Sequence, residues 1–187
     1  AGRVFIVGFS LGGNFALRLA RLEIPRLRRV FAVSPVLNPL ASTRKLDANP
    51  LLRAYFREKW LRSLRKKEQL FPERYDFSAL YNESSILVMT RKILEAYSDF
   101  PSLESYFDQY TLTPDRIEDV KVPVHVIASL DDPAVDDRPY DDFYKLDQIY
   151  LSIQRWGGHL GFVGPLLRIA WYEKVILELI NNEVEGD

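Results

Sequence analysis

The chain has 187 residues, 47% of them hydrophobic, enough for one sizeable core and a small appended subdomain. Its 25 basic and 26 acidic residues leave a formal net charge of -1, which removes any overall electrostatic case for nucleic acid or an anionic membrane as partner. Cysteine is absent, which excludes disulfides and thiolate catalysis, and two histidines, His125 and His159, leave little material for a metal centre, so no metal or cofactor is expected.

No signal-peptide pattern opens the chain, and no apolar run approaches the roughly 20 residues that cross a bilayer, so no transmembrane segment and a cytoplasmic location are expected. Residues Arg3 to Phe9, RVFIVGF, form a short apolar run suited to a buried parallel strand. It runs into Gly8-Phe9-Ser10-Leu11-Gly12-Gly13 and then Asn14 to Leu22, NFALRLARL, where Phe15, Leu19 and Leu22 fall on one helical face and Ala16 and Ala20 permit close packing. Arg29 to Val33, RVFAV, predicts a second strand, stopped by Ser34-Pro35.

Between residues 40 and 120 the pattern changes to long helical stretches of mixed polarity, LLRAYFREKWLRSLRKKEQL and SSILVMTRKILEAY, which predict a helical insertion. Leu51, Leu52, Tyr55, Phe56, Trp60 and Leu64 either line an acyl pocket or seal the insertion onto the sheet, and sealing is the simpler reading. The strand rhythm returns at Val122 to Ala128, breaks at LDDPAVDDRP, and resumes at Ile149 to Gln154. A closing run, LLRIAWYEKVILELI, predicts a helix with Ile169, Tyr172, Ile176 and Ile180 near one stripe. This alternation predicts an α/β fold: a mainly parallel sheet covered on both faces, built from residues 1–39 and 121–187, with residues 40–120 as a helical cap.

The serine between glycines invites a chemical reading. A nucleophile raised on a sharp bend from strand to helix needs small neighbours, because side chains at Gly8 and Gly12 would crowd the bend or the strand beside it. The helix after Ser10 points free backbone donors at the place where an oxyanion accumulates, and the Leu11 N–H is the first candidate. A five-residue pattern with three fixed positions is weak by itself; its place between an apolar strand and an amphipathic helix strengthens it.

A serine hydroxyl needs a base, and the base works best with a carboxylate to hold its tautomer. His125 lies inside a predicted strand among Val124, Val126 and Ile127, where packing or a local hydrogen bond is the simpler role. His159 sits in Trp156 to Phe162, WGGHLGF, a glycine-rich loop after the final strand, able to carry an imidazole over the C-terminal edge of the sheet. The carboxylate should leave an intervening strand, as Asp131-Asp132-Pro133 does; Asp132, directly before the proline, is the choice and Asp131 the reserve.

Asp136, Asp137, Asp141 and Asp142 lack the ligand order of a calcium loop and read as a solvated acidic surface. The basic runs Arg26-Leu27-Arg28-Arg29 and Arg65-Lys66-Lys67 read as exposed helix or loop surface, since no recognition pattern frames them.

Together, GFSLGGN, SLDDP and GGHLGF resemble the α/β-hydrolase superfamily and, within it, the YheT-like branch, also described as ABHD1/2/3-like. The resemblance covers essentially the whole chain and implies a serine hydrolase of the carboxylesterase or lipase kind, acting on small-molecule or lipid esters. It implies Ser10 as nucleophile, Asp132 as acid, His159 as base and the Leu11 N–H as part of the oxyanion hole, with a helical lid at residues 40–120. His125 stands where an aliphatic residue is more usual in this branch.

Members of the branch also carry about four strands before the nucleophile strand and a loop with a second oxyanion donor, and Ala1 to Phe9 has no room for them. The chain therefore reads as the C-terminal portion of a longer enzyme. Two expectations follow for the isolated chain: an exposed apolar edge on the serine-bearing strand, and the loss of about 3 kcal/mol of transition-state stabilisation for the missing donor. Alternative readings are an acyltransferase working through the same acyl-serine, thioester or amide hydrolysis, and a non-catalytic interaction module.

Overall fold

The computed structural model describes residues 2–136, 138–162 and 170–185. Asp137 of the acidic run and Ile169 of the predicted closing stripe lie outside the described residues. Two compact units make up the chain: Ala1–Asn38 with Leu112–Asp187, and Pro39–Thr111.

The first unit is built on four strands, β1 (Val4–Phe9), β2 (Leu27–Val33), β3 (Val124–Ser129) and β4 (Ile149–Gln154), in the spatial order β1-β2-β3-β4. Every neighbouring pair is parallel. Parallel neighbours cannot be joined by a tight hairpin, so each connection must cross over the sheet. Helix α1 (Leu11–Leu19) makes the first crossing, and a 3₁₀ helix, Arg138–Lys145, lies in the connection from β3 to β4.

Side chains on a strand alternate between faces, and the two faces of this sheet are filled from different helices. Val30, Ala32, Val124, Val126 and Ala128 pack with Ala16 and Leu17 of α1, with Ala20 that caps its end, and with Leu112, Ile117 and Val120. Phe31, Val33 and Ile127, on the other face, pack with Phe162 and with Ile176 of the last helix. In sequence order the helices of the second unit are α2 (Pro39–Ala48), α3 (Pro50–Leu70), α4 (Ile86–Tyr97) and α5 (Leu103–Tyr110); the first unit then adds the short α6 (Pro114–Ile117) and the closing α7 (Trp171–Glu185). Arg29 Nε donates to Glu183 Oε1 at 2.7 Å and Arg3 Nη1 to the Glu183 carbonyl at 2.8 Å, which anchors the end of α7 to the sheet.

On helix α1 the large apolar stripe of Phe15, Leu19 and Leu22 is exposed, while the small residues Gly13, Ala16 and Ala20, with Asn14 and Leu17, are buried, in keeping with the close packing expected of Ala16 and Ala20. Small side chains let the helix axis approach β1 and β2 closely, and β1 is the outermost strand of the sheet. The same edge position leaves Val4, Val7 and Phe9 about two-fifths exposed.

The second unit is held by capped helices and two apolar clusters. Asn49 accepts from the Leu51 and Leu52 N–H groups and Pro50 opens α3, while Ser85 caps α4 through the Val88 N–H. The Asp47 carboxylate also accepts from the Ile86 and Leu87 N–H groups, placing a negative charge at the positive end of α4. Leu61, Leu64, Phe77, Leu80 and Met89 form one cluster with Trp60 against it, and Leu94, Leu103 and Phe107 form another with Phe100 and Tyr106. Leu51 and Tyr55, expected to line or seal, stand exposed: successive steps of four residues carry them along the side of α3 turned away from Leu61 and Leu64. No helix among the described residues is long and apolar enough to cross a membrane.

His125 on β3 is flanked by the rings of Phe31 and Tyr150, and its Nε2 lies 2.8 Å from Ser152 Oγ. Burial, reinforced by the charge of Arg29, holds this imidazole below its ordinary value of 6.5. The unfolded chain therefore takes up a proton that the folded chain refuses, so this contribution to stability is complete above the ordinary value and is lost as the pH falls below it. Urea unfolding midpoints should drop between about pH 7.5 and about pH 5.5, and His125→Gln should lessen that drop.

Candidate active site

The strand register sets the site before any catalytic side chain is considered. Phe9 pairs with Val33, Val33 with Ile127, and Ser129 with Gln154, so the C-terminal ends of all four strands reach one edge. The residues that leave those ends are Ser10, Ser34, Asp131-Asp132 and the Arg155–His159 loop, gathered where open parallel sheets place their ligands.

Ser10 occupies the bend between β1 and α1 with φ 53° and ψ −121°, a left-handed region that a residue with a Cβ enters at a cost of about 1–3 kcal/mol. Its backbone is tied on both sides. The N–H donates to the Val33 carbonyl at 2.9 Å, and its own carbonyl accepts from Gly13 at 2.9 Å and from Asn14 and Val36, each at 3.3 Å. The side chain makes no cap to α1, which leaves the hydroxyl available. Leu11 opens α1, so its N–H belongs to the first turn, where a helix has no internal acceptor.

The glycines around the bend divide differently from the expectation. A Cβ on Gly8 would overlap the Gly12 carbonyl oxygen and lie 2.7 Å from the Ala16 Cβ, so the strand and helix meet too closely for any side chain there. A Cβ on Gly12 meets nothing within 4 Å. Gly13 is the tight position on the helix, where a Cβ would lie 3.0 Å from the Pro35 Cα, because the segment after β2 folds against it. Asn14 reinforces that contact by donating from Nδ2 to the Val36 carbonyl at 2.7 Å.

His159 Nε2 lies 2.9 Å from Ser10 Oγ, and His159 Nδ1 lies 2.8 Å from Asp132 Oδ2. An ionised carboxylate only accepts, so the pairing puts the ring proton on Nδ1 and leaves the Nε2 lone pair facing the serine. Asp132 is only 4% exposed, and its other oxygen, Oδ1, accepts from the Ala134 N–H at 2.8 Å and the Val135 N–H at 3.0 Å. The turn that begins at Pro133 therefore locks the carboxylate in one orientation. His125 takes no part: it sits within β3, on Ser152.

Asp131, the reserve acid, lies elsewhere than on the imidazole. Its Oδ1 accepts from the Gly157 N–H at 2.9 Å and the Gly158 N–H at 2.8 Å. These backbone donors, Gly158 foremost, hold its carboxyl below the ordinary carboxylate range. Ser129 Oγ donates to the Gly158 carbonyl at 2.6 Å, and the buried Ser34 Oγ donates to the His159 carbonyl. Sequence reasoning missed Ser34, Ser129 and Asn14 as parts of the site. Lone hydroxyls and amides carry no spacing signal, and only the position of Ser34 and Ser129 at strand ends pointed to them. Among the described residues no group of three or more histidine, aspartate or glutamate side chains has the arrangement to hold a metal.

Residues 1–168 match the alpha/beta hydrolase family. The chain belongs to this family. Among curated relatives, an abhydrolase domain-containing protein of Dictyostelium discoideum is 24% identical over 195 residues, covering 98% of this chain and 48% of that protein. A monoacylglycerol lipase ABHD2 of Danio rerio is 25% identical over 204 residues, covering 96% and 47%, and the human protein of that name is 21% identical, covering 96% and 48%. The chain thus spans about half the length of the curated relatives it matches, and its relation to the ABHD2-like enzymes is distant. Of solved structures, a Pyrococcus horikoshii acylaminoacyl peptidase superposes with TM-score 0.56 at 15% identity, over 96% of this chain and 24% of that one. A meta-cleavage product hydrolase from Pseudomonas fluorescens superposes with TM-score 0.55 at 20% identity, over 97% and 65%. These likenesses show the α/β-hydrolase fold.

The packing of this hydrolase bend separates its two outer glycines experimentally. Gly8→Ala should cost about 1–3 kcal/mol in denaturant unfolding, because backbone has to move to admit the methyl group. Gly12→Ala should leave stability unchanged or raise it by about 0.5–1 kcal/mol, since alanine suits a helix better and the space is open. Equal losses for both would contradict the packing described.

Proposed function

We propose that this α/β hydrolase cleaves carboxylic esters through an acyl-serine intermediate, with Ser10 as nucleophile, His159 as general base and then acid, and Asp132 as the carboxylate that orients the imidazole. The observation that carries this reading is the unbroken chain of contacts, 2.8 Å from Asp132 to Nδ1 and 2.9 Å from Nε2 to Ser10 Oγ. Those are the distances a proton relay between a hydroxyl and an imidazole requires.

As Ser10 Oγ bonds to the ester carbonyl carbon, its proton passes to His159 Nε2 and the carbonyl π pair moves to oxygen. The Leu11 N–H, at the positive end of α1, donates to that oxyanion. The tetrahedral adduct collapses with cleavage of the carbon–oxygen bond to the leaving group, which takes the proton from Nε2 and departs as an alcohol. Water then gives a proton to Nε2 as its oxygen attacks the acyl carbon. The second collapse releases the acid and returns the proton to Ser10.

The imidazolium formed in each half faces the Asp132 carboxylate, whose two backbone donors keep it from turning away. The relatives named monoacylglycerol lipase favour a lipid-derived ester as the substrate class.

In the full natural protein, a fluorophosphonate probe should label wild type and fail to label Ser10→Ala. Turnover of short-chain and medium-chain p-nitrophenyl esters should fall roughly 10⁴-fold in Asp132→Asn, which keeps the shape but no longer fixes the tautomer. Labelling that persists in Ser10→Ala would overturn the assignment of the nucleophile.

A further inference from the structure

We propose that Asp131 is a positioning residue: its carboxylate clamps the Gly157–Gly158 backbone so that His159 is presented to Ser10. This rests on the reading of Ser10 and His159 as nucleophile and base. The adjacent aspartates then divide one task between them. Asp132 holds the imidazole ring, and Asp131 holds the backbone that carries it.

Three features of the loop lead to this assignment. First, one oxygen of Asp131 receives two successive N–H groups, from Gly157 at 2.9 Å and Gly158 at 2.8 Å. Consecutive amides turned toward one acceptor form a small anion-binding concavity, and an acceptor that bears a charge strengthens both bonds. The depressed proton affinity of Asp131 follows from the same donors, so the carboxylate stays ionised in the range where an imidazole acts as base.

Second, Gly158 sits at φ 58°, and two adjacent glycines have the greatest backbone freedom of any pair of residues. Such a pair permits the sharp path into His159 but does not enforce it. The enforcement comes from side chains at and just past the ends of β2 and β3: the Gly158 N–H is held by Asp131, the Gly158 carbonyl by Ser129 Oγ at 2.6 Å, and the His159 carbonyl by Ser34 Oγ. Both polar groups of the residue before the base are therefore occupied.

Third, the register makes Asp131 suited to this use. Leu130 extends the ladder beyond β3 by donating to the Gln154 carbonyl at 2.9 Å, which keeps the chain after β3 beside the chain leaving β4. Asp131 is the first residue past that bond, and Gly157 is three residues past Gln154. The aspartate thus meets the loop from the flank, at the point where β-ladder restraint on the loop has ended.

The test uses the full natural protein with Asp131→Ala, Asp131→Asn and Ser34→Ala, each compared with wild type for kcat and KM on a p-nitrophenyl ester and for its thermal unfolding midpoint. Asp131→Ala should lower kcat by roughly 10²-fold with KM unchanged, the consequence of a displaced base. Asp131→Asn, whose amide oxygen still accepts both N–H groups, should recover most of that loss, and a rescue of this kind is not expected of a merely structural role. Ser34→Ala should lower kcat in the same sense, and it keeps the clamp testable if Asp131→Ala fails to fold. Wild-type kcat in Asp131→Ala would overturn the proposal, as would an Asp131→Asn enzyme no faster than Asp131→Ala. Ser10→Ala run alongside separates the two readings: turnover that survives in it removes the nucleophile assignment, whereas its loss beside an unaffected Asp131→Ala removes only the clamp.

Discussion

The site depends on a backbone conformation that Ser10 would not adopt alone. At φ 53° the serine stands in a region disfavoured for any residue with a Cβ, and it is kept there by hydrogen bonds to β2, to the first turn of α1 and to the segment after β2. Those bonds exist because β1 and β2 are parallel and end level with one another, and because Gly8 lets α1 descend onto the strand without an intervening side chain. A strained hydroxyl at the tip of an edge strand is therefore a consequence of sheet register and close packing. The imidazole contact is built on top of that.

Much of this was legible from local pattern. The four strands follow from short apolar runs bounded by breakers, and each begins or ends within a few residues of its predicted limits; the inner strands β2 and β3, covered on both faces, need continuous apolar sequence. The side chains that gather at Ser10 follow from chain order and from their placement just beyond strand ends. Other features were hidden for definable reasons. Periodicity marked both a large stripe on α1, Phe15, Leu19 and Leu22, and the small residues Ala16 and Ala20, and only the sheet shows that the small ones are buried and the large ones exposed. Gly12 and Gly13 look equivalent in sequence, and only the fold of Pro35 against Gly13 distinguishes them. Leu51 and Tyr55 look like packing residues, and their exposure is set by where Leu61 and Leu64 point on the same helix.

Adjacent aspartates present the same limit in sharper form. Composition cannot tell Asp131 from Asp132, since both follow the same strand. Their partners separate through what lies one residue further on: Pro133 opens a turn whose Ala134 and Val135 N–H groups take one oxygen of Asp132, leaving its other oxygen for the ring. Asp131, outside that turn, is left facing the chain that leaves β4. One backbone turn thus sends two identical side chains to different parts of the same loop.

A comparable divergence appears in the two serines that follow β1 and β2. Ser10 and Ser34 both have positive φ, at 53° and 45°, and both donate their N–H to the next strand, Ser10 to Val33 and Ser34 to Ile127. Both hydroxyls also reach His159, one at the ring and one at the carbonyl. What differs is the following residue. Ser10 opens onto a helix whose first N–H groups lack internal acceptors, giving a negative charge near it somewhere to be stabilised, whereas Ser34 runs into Pro35, which has no N–H to offer. Ser34 is also wholly buried. The same bend at the end of a parallel strand therefore turns one hydroxyl to the imidazole ring and the other to the backbone that carries it.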